Sequence, residues 1–355
     1  MRLAWPDLGR EEVEAVAEVL ESGYLTMGPK VAELEAELVR VCEVDHAVAV
    51  SSGTAALHLA VLALGLREGD EVLVPAYTFP ATANVVALAG ARPVLVDVDP
   101  ETMNLDPGRV ADAVTPRTRA VLAVHLFGRP LDWEGLQQSL PEDVLLIEDA
   151  AGALGARYRG RACGGLGQAA CLSFHPRKIV TTGEGGAVTT RSAEQAQRLR
   201  ELRDHGIDRR EDFEIASPGL NYRLSDILCA VGIPQLRRLE ELLRAREQLA
   251  AAYTERLREL DVLLPSAAEG DRHGWQAYVI QLERRDQVIA ALRDLGIEAQ
   301  IGTYALHRLG AYHDQGPFAG AETCYECALA LPFHTRLSEA EVDRVAEALT
   351  AIVSK

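Results

Sequence analysis

Short aliphatic and β-branched runs alternate with helix-period stretches through the first 190 residues, and that alternation sets the expected fold. Candidate strands run His46–Val50, Glu71–Val74, Pro93–Val98, Arg119–Val124 and Val144–Glu148. Strands separated by helix-length segments pair in parallel, so the pattern predicts an α/β fold around a mainly parallel sheet. Two further candidates, Ala170–Phe174 and Gly186–Thr190, bring the expected total to about seven strands, with helices on both faces. The larger lobe is expected to span residues 1–235. Beyond it, apolar residues recur at Leu236, Leu239, Leu243, Leu249, Tyr253, Leu257 and Leu260, which predicts one long amphipathic helix bridging the lobes. Residues 236–355 then predict a smaller α/β domain. Its strands fall at Gln276–Leu282 and Glu298–Ile301, with a helix over Arg285–Leu295 between them. Ser338-Glu339-Ala340-Glu341 is a capping box that opens the last helix.

Composition narrows the class of protein. Over 355 residues, 48% are hydrophobic and 25% charged, which is the balance of an ordinary globular chain and excludes a disordered one. The net charge of −17 disfavours non-specific attraction to nucleic acid or an anionic membrane, so an anionic substrate needs a local basic pocket. The first residues lack an apolar secretory core and no apolar run is long enough to span a bilayer, so the expected location is the cytoplasm. Six cysteines are scattered at 42, 163, 171, 229, 324 and 327, and reduced thiols are expected. Cys324 and Cys327 form a CxxC, but it lies in AETCYECALAL, which reads as helical, without a second pair or neighbouring histidines. No metal site is expected there.

The candidate chemistry comes from separate segments. Lys178 sits in SFHPRKIVTTGEGG, between an apolar strand and a glycine-rich turn. A lysine that reacts as a nucleophile must be desolvated and held by rigid backbone, and this setting supplies both; the alternative is a loop lysine reaching solvent. Ser51-Ser52-Gly53-Thr54 follows the strand HAVAV and opens a helix, where free N–H groups and the positive dipole end favour phosphate. Ordinary capping is the alternative there. Asp149 ends an aliphatic strand at the edge where open parallel sheets bind ligands, and a buried aspartate there suits a protonated ring nitrogen. Phe79, just after the strand EVLV, could stack on a planar ring or pack as a core aromatic. Together these describe a site for pyridoxal 5′-phosphate (PLP).

Over nearly its whole length the chain resembles the DegT-type sugar aminotransferases, PLP enzymes of fold type I. The resemblance runs from SGYLTMGPKVAELE through SSGTAALHLA, GDEVLVPAYTFPATANVV, GARPVLVDVDPETMNLDP and IEDAAGALGARYRG to SFHPRKIVTTGEGG, GLNYRLSDI and LPFHTRLSEAEVDRV. It implies that Lys178 is the Schiff-base lysine and Asp149 the pyridinium partner. It places Gly53, Thr54 and Ser173 around the phosphate and Phe79 against the ring. Asn221 matches a residue that reaches the phosphate of the neighbouring subunit, so a homodimer with shared active sites is implied.

The implied reaction is ping-pong transamination, with glutamate as the usual donor and a keto-sugar, most often nucleotide-linked, as acceptor. Arg223, His175, Tyr304, His307 and Arg308 are candidate substrate contacts, the last three from the loop between Gly302 and Gly316; a structural salt bridge is the alternative for Arg223 and a packed structural role for His175. One departure stands out: Gly152 occupies the position where the family commonly carries His or Gln beside the cofactor, so either another group, with His175 a candidate, supplies the lost hydrogen bond near the ring hydroxyl, or the cofactor electronics and substrate choice differ. Related enzymes that act as dehydratases carry histidine in place of the lysine, and Lys178 argues against that reaction. A lyase or desulfurase needs a mobile cysteine, for which Cys163 in RACGGLG is the candidate. A PLP-binding regulator without turnover is the remaining alternative.

Overall fold

All seven expected large-sheet strands form, each with ends within two residues of its predicted bounds. The structure, a computed structural model, describes residues 1–209 and 214–354. The sheet order is His46–Val50, Gly186–Thr190, Ala169–Ser173, Leu145–Asp149, Thr118–Val124, Glu71–Pro75 and Arg92–Val96. Pairing is parallel from Ala169–Ser173 to Arg92–Val96. Gly186–Thr190 runs antiparallel to both of its neighbours. Glu71–Pro75 and Gly186–Thr190 are buried at every position, as strands covered on both faces must be.

Register decides what gathers at one edge. Val50 pairs with Gly186 and Gly186 with Ser173, while Val124 pairs with Asp149 and Asp149 with Cys171. The ends of four strands and the start of a fifth therefore share the edge from which parallel sheets present ligand sites. Helices close both faces of the sheet over two apolar cores. A third core forms around a smaller sheet, with Tyr253, Leu257, Tyr278, Ile280, Val345 and Leu349 at its centre.

Two elements differ from expectation. The single long helix is two, Asp226–Arg237 and Leu239–Leu257, broken at Arg238. The Arg238 guanidinium donates to the Asp7 carboxylate, the Asp7 carbonyl and Glu12, each at 2.8 Å, and its backbone leaves helical angles to do so. Leu236 consequently packs into the large lobe instead of bridging. The segment AETCYECALAL also splits, into a helix over Ala319–Cys327 and a strand over Ala328–Leu331. That strand is the centre of the small sheet, antiparallel to Tyr278–Gln281 and Gln300–Ile301. A four-residue apolar run carries too little periodicity to separate helix from strand.

The amino terminus packs against the third core. The Met1 ammonium donates to the Gly296 carbonyl at 2.5 Å, and the Phe333 N–H donates to the Leu3 carbonyl at 2.9 Å. No helix among the described residues is long and apolar enough to cross a membrane.

Candidate active site

Lys178 lies in a turn beyond the strand Ala169–Ser173, and that turn is tied down at several points. The Lys178 N–H donates to the His175 carbonyl at 2.8 Å, and the Thr182 N–H reaches back to the Phe174 carbonyl at 3.0 Å. Gln235, fully buried, accepts from the Thr181 N–H at 3.0 Å and donates to the Thr181 carbonyl at 2.8 Å. Gly183 takes a left-handed φ of 84° that turns the chain into the next strand. Rigid backbone thus fixes where the lysine starts. Its ammonium makes no hydrogen bond or salt bridge with the described residues. The chain has three lysines, Lys30, Lys178 and Lys355, and Lys30 is committed to Glu33 at 3.0 Å.

Facing it is a helix start. Ser52 caps the helix Gly53–Ala63 by accepting from the Ala55 N–H at 3.0 Å, and the first-turn N–H groups at Gly53 and Thr54 have no intrahelical carbonyl to bond. A Cβ on Gly53 would stand 2.7 Å from Ser173 Cβ, so glycine is what lets helix start and strand end come together. The result is a small concave cradle of N–H and hydroxyl donors, which fits a phosphate.

Asp149 closes the floor and is buried, 5% exposed. Its carboxylate accepts from Thr82 Oγ1 at 3.0 Å and from the Ala151 N–H at 3.1 Å. Burial pushes its pKa up, against the lowering effect of these two bonds and of Lys178. Burial likewise pushes the Lys178 ammonium pKa down, opposed by Asp149 and reinforced by Arg177. Asp149 is therefore short of positive charge, which a protonated ring nitrogen against it would supply, and Lys178 is biased toward its neutral amine. The residues present fit PLP on this ground.

These groups line one cavity of about 550 Å³, together with Phe79, His175 and Gln276. That volume suits a small organic ligand. Phe79 lines it while remaining 61% exposed, with the Tyr304 ring edge-on at 6.4 Å. Of the sequence candidates, Gly53, Thr54, Phe79, Asp149, Ser173, His175 and Lys178 are brought together. Asn221 is exposed and lines no part of this cavity.

Four proposed substrate contacts lie outside the lining of this cavity, Tyr304 among them, beside Phe79. Arg223 pairs with buried Asp204, His307 bonds Glu322 at 2.6 Å, and Arg308 bonds Glu322 and Glu326. They bond to the helix Ala319–Cys327 and to a local acidic partner and do not line this cavity within one chain. Cys163 is 1% exposed in the core and burial raises its thiol pKa, which removes it as a mobile nucleophile.

Sequence reasoning passed over the pair behind Asp149. His125 Nδ1 accepts the Leu131 N–H at 2.9 Å, so its proton sits on Nε2, 3.0 Å from Glu148. Glu148 also accepts from the N–H groups of Gly164, Leu166 and Gly167. His125, Glu148 and Cys163 lie close enough to suggest a metal, but their ligand atoms are already engaged. The pair instead pins the RACGGLG loop, and the His125 N–H donates to the Asp149 carbonyl at 3.1 Å. A strand ending in two adjacent carboxylates was the available signal: Asp149 reaches the cavity, and its neighbour Glu148 serves the core.

Residues 6–350 match the DegT/DnrJ/EryC1/StrS aminotransferase family. The chain belongs to this family. GDP-perosamine synthase of Caulobacter vibrioides is 40% identical over 99% of this chain and 98% of that protein. Among solved structures, the aminotransferase TlmJ of Streptoalloteichus hindustanus superposes with a TM-score of 0.96 at 35% identity, over 100% of this chain and 99% of that one. DesV of S. venezuelae, solved in complex with a ketimine intermediate, gives 0.92 at 37% identity, over 97% of this chain and 95% of that one. The protein is a PLP-dependent aminotransferase of fold type I.

Proposed function

We propose that this aminotransferase moves an amino group from glutamate to a nucleotide-linked keto-sugar, with donor and acceptor using the cavity in turn. The observation that carries the reading is that Lys178 and Asp149, both desolvated, line one cavity. The 40% identity to a GDP-perosamine synthase supports an amino-sugar product carried on a nucleotide.

The roles follow from position. Gly53, Thr54 and Ser173 would hold the phosphate of PLP, Asp149 would keep its ring nitrogen protonated, and Phe79 would cover the ring. When bound, PLP supplies an electron sink for the carbon that loses its proton. Lys178 would hold the cofactor at rest and, as a free amine, would take the proton from the donor's Cα; its lowered pKa makes the neutral amine accessible. In the second half the same amine returns a proton to the former ketone carbon. Arg177 lines the cavity with its guanidinium unpaired among the described residues, suited to an anionic group of either substrate. A homodimer accounts for two exposures at once: a second copy covers Phe79 and receives Asn221.

The test is amination of an acceptor. Loaded enzyme, glutamate and a panel of nucleotide-linked keto-sugars are expected to yield 2-oxoglutarate and an amino-sugar nucleotide in equal amounts, read by mass spectrometry. Amination of free keto-sugars alone would overturn the nucleotide part of the reading. Bound cofactor without release of any keto-acid would favour the regulatory alternative.

A further inference from the structure

Gly152, next to the Ala151 N–H that donates to the Asp149 carboxylate, leaves the cavity wall without a side chain, and a residue from the far end of the chain fills that space. Gln276 packs over it: a Cβ built on Gly152 would lie 3.6 Å from Cβ, Cγ and Oε1 of Gln276. Gln276 lines the same cavity as Asp149 and Lys178.

Its position is fixed by backbone. The Gln276 N–H donates to the Phe127 carbonyl at 3.0 Å, and buried Arg246 donates to the carbonyls of Trp275 at 2.8 Å and Gln276 at 3.1 Å. Gly128 holds the layers together, because a Cβ there would come within 2.9 Å of both the Gly152 carbonyl and the Trp275 nitrogen. The side-chain amide, by contrast, is under-used. Nε2 reaches only the Arg177 carbonyl, at 3.4 Å, and Oε1 accepts no hydrogen bond from the described residues.

We infer that Gln276 supplies, from the second lobe, the polar contact to the cofactor's ring oxygen that a side chain at position 152 would otherwise make. The inference rests on the proposed placement of PLP on Lys178 and Asp149. An amide N–H donating to that oxygen favours its deprotonated form, so removing it raises the pH midpoint of the cofactor's visible absorbance. The effect of one hydrogen bond to a charged group corresponds to about one pH unit and roughly tenfold in cofactor affinity.

The experiment is a pH titration of the visible band, with cofactor affinity measured alongside, in the wild type, Gln276→Met, Gln276→Asn and the double variant Gly152→Gln/Gln276→Gly. The single variants are expected to keep the band, raise its midpoint and bind PLP more weakly, and the double variant to return both values toward the wild type. Unchanged midpoint and affinity in either folded single variant overturns the inference. A visible band that survives in Lys178→Ala overturns the cofactor placement instead, so the two failures are separable.

Discussion

Lys178→Ala is expected to lower turnover by about 10⁴-fold or more, because one substitution removes both the group that holds the cofactor and the base that moves the proton. The structure offers no substitute. Lys30 is paired with Glu33 on the helix Pro29–Cys42, and the only other lysine is the last residue of the chain. His175 lines the cavity, but its Nδ1 already accepts the Arg177 N–H at 3.2 Å. Steady-state release of 2-oxoglutarate checks the expectation. Fold should be retained, since the ammonium makes no bond that the folded chain depends on, and a thermal melt of the cofactor-free variant reads that separately. Turnover within tenfold of the wild type would remove Lys178 from the mechanism.

Asp149→Asn is expected to cost roughly 10²–10³-fold in kcat/KM, the scale on which a single preorganised electrostatic group acts. The carboxamide keeps the shape of the carboxylate and its oxygen still accepts one of the bonds from Thr82 and Ala151. What it lacks is the charge that keeps the ring nitrogen protonated. Stability should move the other way. Burial raises the Asp149 pKa in the folded protein, which means that the buried charge opposes folding near neutral pH until a cation arrives. The cofactor-free variant should therefore melt no lower than the wild type while losing activity. Equal loss of activity and of melting temperature would show that Asp149 acts through structure, and undiminished activity would show that the ring nitrogen has no need of it.

Much of this site was readable in the chain. Asp149 stands at the end of an apolar strand, Gly53 at a helix start and Lys178 in the turn that follows a strand, and parallel pairing carries such ends to one edge whatever the detailed packing. Gly152 was visible as a missing side chain, but its replacement was not. Gln276 lies more than a hundred residues away, and only the close approach of Gly128, Gly152 and Trp275 brings it over the gap. The partners of His307, Arg308 and Arg223 were hidden for the complementary reason. A cation in a loop reads as free until the partners folded against it are known, and here Glu322, Glu326 and Asp204 are those partners. The break at Arg238 has the same origin, because its anchors Asp7 and Glu12 come from the opposite end of the chain.

The central claim is that Lys178 carries the cofactor, and a chain with three lysines allows a direct reading. Protein loaded with PLP is reduced with borohydride, which fixes the cofactor to the amine holding it, and is then digested and mapped by mass spectrometry. The added mass is predicted on the peptide containing Lys178, in about one copy per chain, and absent when glutamate is supplied before reduction. Label confined to Lys30, Lys355 or the amino terminus, or label on Lys178 that glutamate cannot remove, would contradict the account.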